Sequence, residues 1–216
     1  MKNGLQKRKQ RRMRRLGTVK MSIYDWRDMV RVCGTLSTNK GDRESLRYID
    51  LCINDESKGL CTAYGCNGYQ MSRVKFMCEV HDIPWKYHFL IDIFKAPVGS
   101  CDVVIEINED DDEYSVTFLN KTGEKIVAFS QDIVHIEPMN YERFFENAHK
   151  NFDEFNHGEG KYWIAVNPKY LLNALEGLKQ FDNVILNFGT NVQPFSIRDG
   201  NGSMKVEALV LPVRKL

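Results

Sequence analysis

The amino-acid sequence predicts an α+β protein built from repeated βαβββ units. Three observations lead to this class. A segment of helical periodicity near each end of the chain is followed by a series of strand-like runs. The long middle alternates apolar and polar residues and reads almost wholly as strands. Clusters of Asn, Gly, Asp and Ser separate the runs as turns do.

The first unit opens with a short strand near residues 18–20. Residues 23–33 follow as a helix, because Ile23, Trp26, Met29, Val30 and Cys33 recur at helical spacing. Ser22 suits the N-cap and Gly34 the stop. Residues 35–44 are polar and read as a loop. Strands are predicted over 46–53, 60–64 and 69–80, broken by turn clusters at 54–59 and 65–68. The middle supplies candidate strands at 89–94, 103–108, 114–119 and 125–130. The acidic run over 109–113 reads as a solvated hairpin turn rather than an acid–base or metal cluster.

Residues 135–156 are polar, aromatic and irregular, and read as a connector. The last unit is the clearest. A strand over 162–166 leads into Asn167-Pro168, where Asn caps a helix and Pro occupies its first position. Leu171, Ala174, Leu175 and Leu178 form its apolar stripe. Strands over 184–188, 194–198 and 206–213 complete it. The expected organisation is a basic, disordered arm over 1–20, a first domain with a β-rich middle over 21–135, a connector over 136–160 and a βαβββ unit over 161–216.

Composition narrows the function classes. The chain has 216 residues, 43% of them hydrophobic, which is enough for a substantial core. No apolar run reaches the roughly 20 residues that span a bilayer. The basic N-terminus is not followed by the apolar stretch of a secretory signal, so a cytoplasmic location is expected, with no membrane partner. The six cysteines, Cys33, Cys52, Cys61, Cys66, Cys78 and Cys101, include no CxxC pair and read as buried free thiols. No metal and no cofactor are expected. Five scattered histidines and the absence of GxSxG, P-loop and HExxH patterns point away from an enzyme.

The formal net charge of +1 hides an asymmetry. Residues 1–20 carry nine bases and no acid, leaving 21 bases against 29 acids in the remainder. An acidic body thus bears a basic arm, whose expected partner is a polyanion, with Arg11, Arg12, Arg14 and Arg15 as candidate nucleic-acid contacts. The same stretch also fits a solvated extension, with Met21 as the start of the folded part.

Three stretches resemble one family. Val166-Asn167-Pro168-Lys169-Tyr170-Leu171-Leu172-Asn173-Ala174-Leu175, Pro194-Phe195-Ser196-Ile197 and the closing Leu209-Val210-Leu211-Pro212-Val213-Arg214-Lys215-Leu216 are similar to the end of the bacterial DNA polymerase III beta subunit, the DNA sliding clamp. Lys215 is an insertion relative to that closing pattern. Cys61-Thr62-Ala63-Tyr64-Gly65-Cys66-Asn67-Gly68-Tyr69-Gln70-Met71 resembles a strand–turn–strand of the family but lacks its usual acid. Pro138-Met139-Asn140-Tyr141-Glu142-Arg143 resembles the element that opens a new clamp domain, with one extra residue.

The resemblance implies a DNA-clamp fold, with antiparallel sheets outside and helices lining a ring. It implies a shortened, non-enzymatic processivity factor, a homo-oligomer that encircles double-stranded DNA and recruits DNA polymerase and a clamp loader. Arg27 and Arg31 on the first helix, with Lys169 and Lys179 on the last, become candidates for the lining; an ordinary solvated helix face is the alternative for each. Leu209, Leu211, Pro212, Val213 and Arg214 would line a partner-peptide groove, with Pro138 and Arg143 on its other wall. One face of a core strand is the alternative for Leu209, Leu211 and Val213. A monomeric DNA-binding or clamp-mimicking protein that uses the basic arm is the competing function.

Overall fold

The computed structural model describes residues 15–37, 44–55, 59–108, 112–137, 139–155, 164–190, 192–201 and 205–213. Val19 and Met21 alternate inward along β1 (Arg15–Ser22), a longer strand than the sequence suggests. The expected arm over 1–20 therefore ends earlier. Arg15 lies in β1, and Lys20 sits 3.7 Å from Glu79 and 3.9 Å from Asp102. Arg11, Arg12 and Arg14 fall outside the described residues, as does the acidic stretch 109–111.

Helix α1 (Ile23–Met29) starts as predicted, with the Ser22 hydroxyl accepting from the Asp25 N–H at 3.1 Å. It does not stop at Gly34. It passes through a π-helical turn (Val30–Gly34) into a short α2 (Thr35–Ser37). Gly34 serves packing instead, since a Cβ there would press within 3.2 Å of the Ile93 side chain. A single 3₁₀ turn (Glu44–Arg47) leads to β2 (Ile49–Asp55), β3 (Leu60–Cys66), β4 (Gln70–Met77), β5 (Glu79–His81) and β6 (Tyr87–Ile91). Next come β7 (Asp102–Asn108), β8 (Glu113–Leu119) and β9 (Lys125–Asp132).

The expected connector contains a 15-residue helix, α3 (Tyr141–Phe155). Its buried Tyr141, Phe145 and Ala148 recur at helical spacing, and Asn140 accepts from the Arg143 N–H at 3.2 Å at its start. The strand expected at 162–166 is not seen over 164–166; residues 161–163 lie outside the described part. Helix α4 (Pro168–Leu178) is capped by Asn167, whose side chain accepts from the Lys169 N–H at 3.0 Å. Strands β10 (Val184–Asn187), β11 (Phe195–Asp199) and β12 (Val206–Val210) end the described chain; residues 211–213 leave the strand.

The strands form two antiparallel sheets. One has five strands in the order β5-β1-β7-β8-β9, and the other seven in the order β10-β11-β12-β4-β3-β2-β6. Pairing of β12 with β4, Val206 opposite Val74 and Val210 opposite Gln70, unites the two ends of the chain. The C-terminal unit therefore shares its sheet and its core with the first, rather than standing apart.

Strands β7 and β8 follow strict alternation and send Val103, Ile105, Ile107, Tyr114, Val116 and Phe118 into the main core. Trp26 is fully buried there, edge-on to Phe118 at 5.4 Å, and its indole N–H donates to the Phe94 carbonyl at 3.2 Å. Strand β3 is buried along nearly its whole length because both its faces are covered. Cys61 and Ala63 belong to the main core with α1 and α4, and Tyr64 and Cys66 to a second cluster with α3. At Gly65 helix and sheet are in direct contact: a Cβ would collide with the Cys33 carbonyl oxygen.

Candidate functional site

The second cluster does not close completely. Beside it lies an apolar cleft of about 220 Å³ between the seven-stranded sheet and the start of α3. Leu209 and Leu211 come from β12 and its continuation, Met139 from the segment just before α3, Phe144 from the first turn of α3, and Tyr69 from the turn between β3 and β4. Leu209 is buried, but Leu211 is 42% exposed, Phe144 50% and Tyr69 55%. Three large apolar side chains facing water around one depression are unusual for a sealed fold.

Local interactions hold this rim. Gly68, at φ 86°, turns the chain between β3 and β4, and the Asn67 carboxamide oxygen accepts from the Tyr69 and Gln70 N–H groups at 3.0 and 2.8 Å. Tyr69 stacks on Tyr170 of α4 at 5.2 Å, and the Leu211 N–H donates to the Tyr69 carbonyl at 3.2 Å. Val213 donates likewise to the Ala165 carbonyl at 2.7 Å, which fixes the segment after β12 without burying Leu211 or Val213.

Of the predicted groove residues, Leu209 and Leu211 line the cleft. Pro212 is half-buried and Val213 exposed, and neither is a lining residue. Arg143 is exposed on α3 and does not line the cleft; its neighbour Phe144 does. Pro138 and Arg214 lie outside the described residues. The contributions of Met139, Phe144 and Tyr69 are hidden in the sequence, because only the packing of α3 and the β3–β4 turn against β12 brings them together.

Beneath α3 the cluster is tied by charges. Arg73 of β4 is 2.8 Å from Glu142 of α3 and 2.8 Å from Glu207 of β12. Glu142 also accepts from the Tyr64 hydroxyl at 2.8 Å, and His149 sits 2.8 Å from Glu207. The Arg73 guanidinium lies 4.3 Å over the Phe145 ring. Burial raises the Glu207 carboxyl, but the His149 hydrogen bond and the Arg73 charge outweigh it and hold the group below the ordinary glutamate range. Glu142 is also held low, with Arg73 the main force against its burial.

The predicted DNA-facing cations sit on two helices that pack together. A Cβ at Gly177 of α4 would lie 3.5 Å from the Val32 Cα in the π-helical turn. Arg27 and Lys169 are exposed, with no ion pair among the described residues. Arg31 is paired with Asp28 and Lys179 with Glu176, each one helical turn away. Lys205 engages Asp25 and Asp28 at 3.1 and 3.3 Å. Half of the expected positive face is thus neutralised within its own helices.

No family model matches the sequence, and no curated protein does. Solved structures do. The beta subunit of DNA polymerase from Streptococcus pyogenes superposes with a TM-score of 0.66 at 12% identity, over 91% of this chain and 65% of that one. The DNA polymerase sliding clamp from Pseudomonas aeruginosa gives 0.69 at 11% identity, over 94% and 68%. The Helicobacter pylori beta clamp bound to a DNA ligase peptide gives 0.62 at 11%, over 91% and 66%.

The chain has the sliding-clamp fold.

It covers only about two thirds of the length of these clamps. Within the clamp fold, the sequence resemblance at residues 166–175, 194–197 and 209–213 falls on α4, on the start of β11, and on the end of β12 with the segment that follows it along the cleft. Residues that carry the resemblance therefore supply α4 and part of the cleft rim. No described helix is long and apolar enough to cross a membrane.

Proposed function

We propose that this chain is the subunit of a DNA sliding clamp, a replication processivity factor that encircles duplex DNA and recruits a polymerase and other partners through its cleft. The observation that carries the proposal is the open apolar cleft of Leu209, Leu211, Phe144 and Tyr69 on a clamp fold. An extended peptide with apolar anchors suits such a cleft, and a fold relative in Helicobacter pylori was crystallised with a DNA ligase peptide. Arg27 and Lys169 would contact phosphates from α1 and α4 without reading bases, which is what sliding needs.

A clamp ring of twelve βαβββ units would need four chains if the middle strands count as a third unit, and six if they insert into one domain. Light scattering at micromolar concentration tests this directly. A closed multimer that stays on nicked circular DNA and runs off linear DNA is expected. A monomer that binds both alike would overturn the ring.

The chain's reduced length favours one second reading, a monomeric DNA-binding or clamp-mimicking protein that uses the basic arm. Removing residues 1–14 separates the two. The ring should keep its hold on circular DNA, whereas the arm-dependent monomer should lose salt-sensitive binding. Removing residues 1–20 should instead unfold the protein, because β1 joins β5 to β7.

A further inference from the structure

We infer that Cys52, His88 and Asp50 form a peroxide-reactive thiol site, in which a hydroperoxide converts the Cys52 thiol to a sulfenic acid. The three residues come together through strand register. Asp50 and Cys52 stand two apart on β2 and so share a face, and the β2–β6 pairing sets His88 opposite Cys52. The Cys52 Sγ lies 3.1 Å from His88 Nε2, and His88 Nδ1 lies 3.0 Å from one oxygen of the fully buried Asp50 carboxylate and 3.3 Å from the other. The Asn54 carboxamide oxygen is 3.2 Å from the same sulfur. This is the order nucleophile, proton-transfer group, orienting carboxylate.

The Asp50 hydrogen bond, seconded by the one to Cys52, pushes His88 up to about 10 against the effect of its burial. At neutral pH both ring nitrogens then carry protons. Nδ1–H donates to Asp50 and Nε2–H to the sulfur, while the thiol S–H points to Asn54 Oδ1. The sulfur thus has a proton donor, His88 Nε2–H, beside it, placed to protonate the oxygen that departs.

The step balances without a further reactant. The thiol loses its proton to solvent, and the thiolate attacks one peroxide oxygen. A sulfur–oxygen bond forms as the oxygen–oxygen bond breaks; sulfur is oxidised by two electrons and the peroxide reduced. The departing hydroxide takes the Nε2 proton and leaves as water, and the imidazole is reprotonated from solvent.

Size decides the class of reactant. Cys52 is only 4% exposed. That burial bars an acyl or peptide substrate and leaves a reactant of a few atoms, of which hydrogen peroxide is the smallest hydroperoxide. A shared metal ion does not suit the group either, because Asp50 and Cys52 engage different nitrogens of the ring.

The test uses the intact chain, limiting hydrogen peroxide and dimedone, a sulfenic-acid trap, with labelled cysteines located by mass spectrometry. Cys66, only 5% exposed, is the internal control, and the half-buried Cys78 and Cys101 report general accessibility. Cys52 should label at least ~10-fold faster than Cys66, and His88→Gln and Asp50→Asn should each remove about that advantage at Cys52 alone. Equal labelling of Cys52 and Cys66 in the unaltered protein overturns the site, as does undiminished Cys52 labelling in a folded His88→Gln variant. Should a variant unfold, labelling of Cys33 and Cys66 will rise with it, and the ordering in the unaltered protein still decides.

Discussion

On the side of α1 and α4, the seven-stranded sheet is covered by Trp26, Met29, Val32, Leu178 and their neighbours, an apolar layer shared with the five-stranded sheet. On the side of α3, Tyr64, Tyr141, Phe145 and Leu209 form a smaller cluster threaded with Arg73, Glu142, Glu207 and His149, and next to it lies the open cleft. The same strands serve both faces, since Ala63 looks one way and Tyr64 the other. A dry face gains stability from area and close packing. A face held by charges gains specificity of seating for one helix, and its strength depends on solution conditions. The cleft lies on the second face, beside the helix whose seating can change.

The largest expected effect tests the dry face. Trp26→Ala removes a fully buried side chain packed edge-on against Phe118 and should cost about 3–5 kcal/mol, read as a drop in the urea midpoint. A loss under 1 kcal/mol would show that the main core does not depend on this contact.

Arg73→Met comes next and tests the charged face. It leaves Glu207 fully buried with His149 still beside it, and should cost about 3 kcal/mol. Adding Glu207→Leu should return much of that loss, because an apolar pair needs no compensation. If the double variant is no better than the single, the network is contributing more than charge balance.

The pH profile sharpens the comparison further. Glu207 and Glu142 have lowered values in the folded state, so their contribution is present above the ordinary glutamate value near 4.3 and is lost as pH falls below it. His88 on the same face has a raised value. Its contribution is complete below about 6.5, the ordinary histidine value, and is lost as pH rises through about 10. Melting temperature should therefore decline at both ends. Glu207→Gln should flatten the acid limb and His88→Gln the alkaline one; unchanged limbs would mean that the titrating groups lie elsewhere.

The smallest effect on stability belongs to the cleft. Leu211→Glu places a charge where the side chain already meets water, so stability should move by under about 0.5 kcal/mol. Binding of a clamp-binding peptide, measured by fluorescence anisotropy, should be lost. Unfolding of this variant would reassign Leu211 to the core, and normal peptide binding would remove it from the groove.

Much of the dry face could be read in the sequence. The alternation of β7 and β8, the Asn167-Pro168 start of α4 and the Ser22 cap of α1 are local signals, and each appears where expected. The charged face was mostly hidden. Helix α3 carries Tyr141, Phe145 and Ala148 among charges, a weak stripe that reads as a polar connector until a sheet face is there to receive it. Arg73 and Glu207 are 134 residues apart and Cys52 and His88 36 apart, so only strand register joins them. The π-helical turn was equally invisible, because the glycine that looks like a stop is there to admit Ile93. Leu209 and Leu211 were found by resemblance, but one is buried and the other open, a distinction that their alternation alone does not make.

The close approach at Gly65 bears on how this chain can change over time. The Cys33 carbonyl occupies the space that any larger side chain needs at that point, and it belongs to the backbone of a helix that α4 pins in place. A library holding every substitution and selected for folding alone should therefore return almost nothing but glycine at position 65, while the exposed rim residues of the cleft vary. The protein is in this sense rigid in ancestry where its helix meets its sheet, and free to acquire new partners at the edge of the same strand.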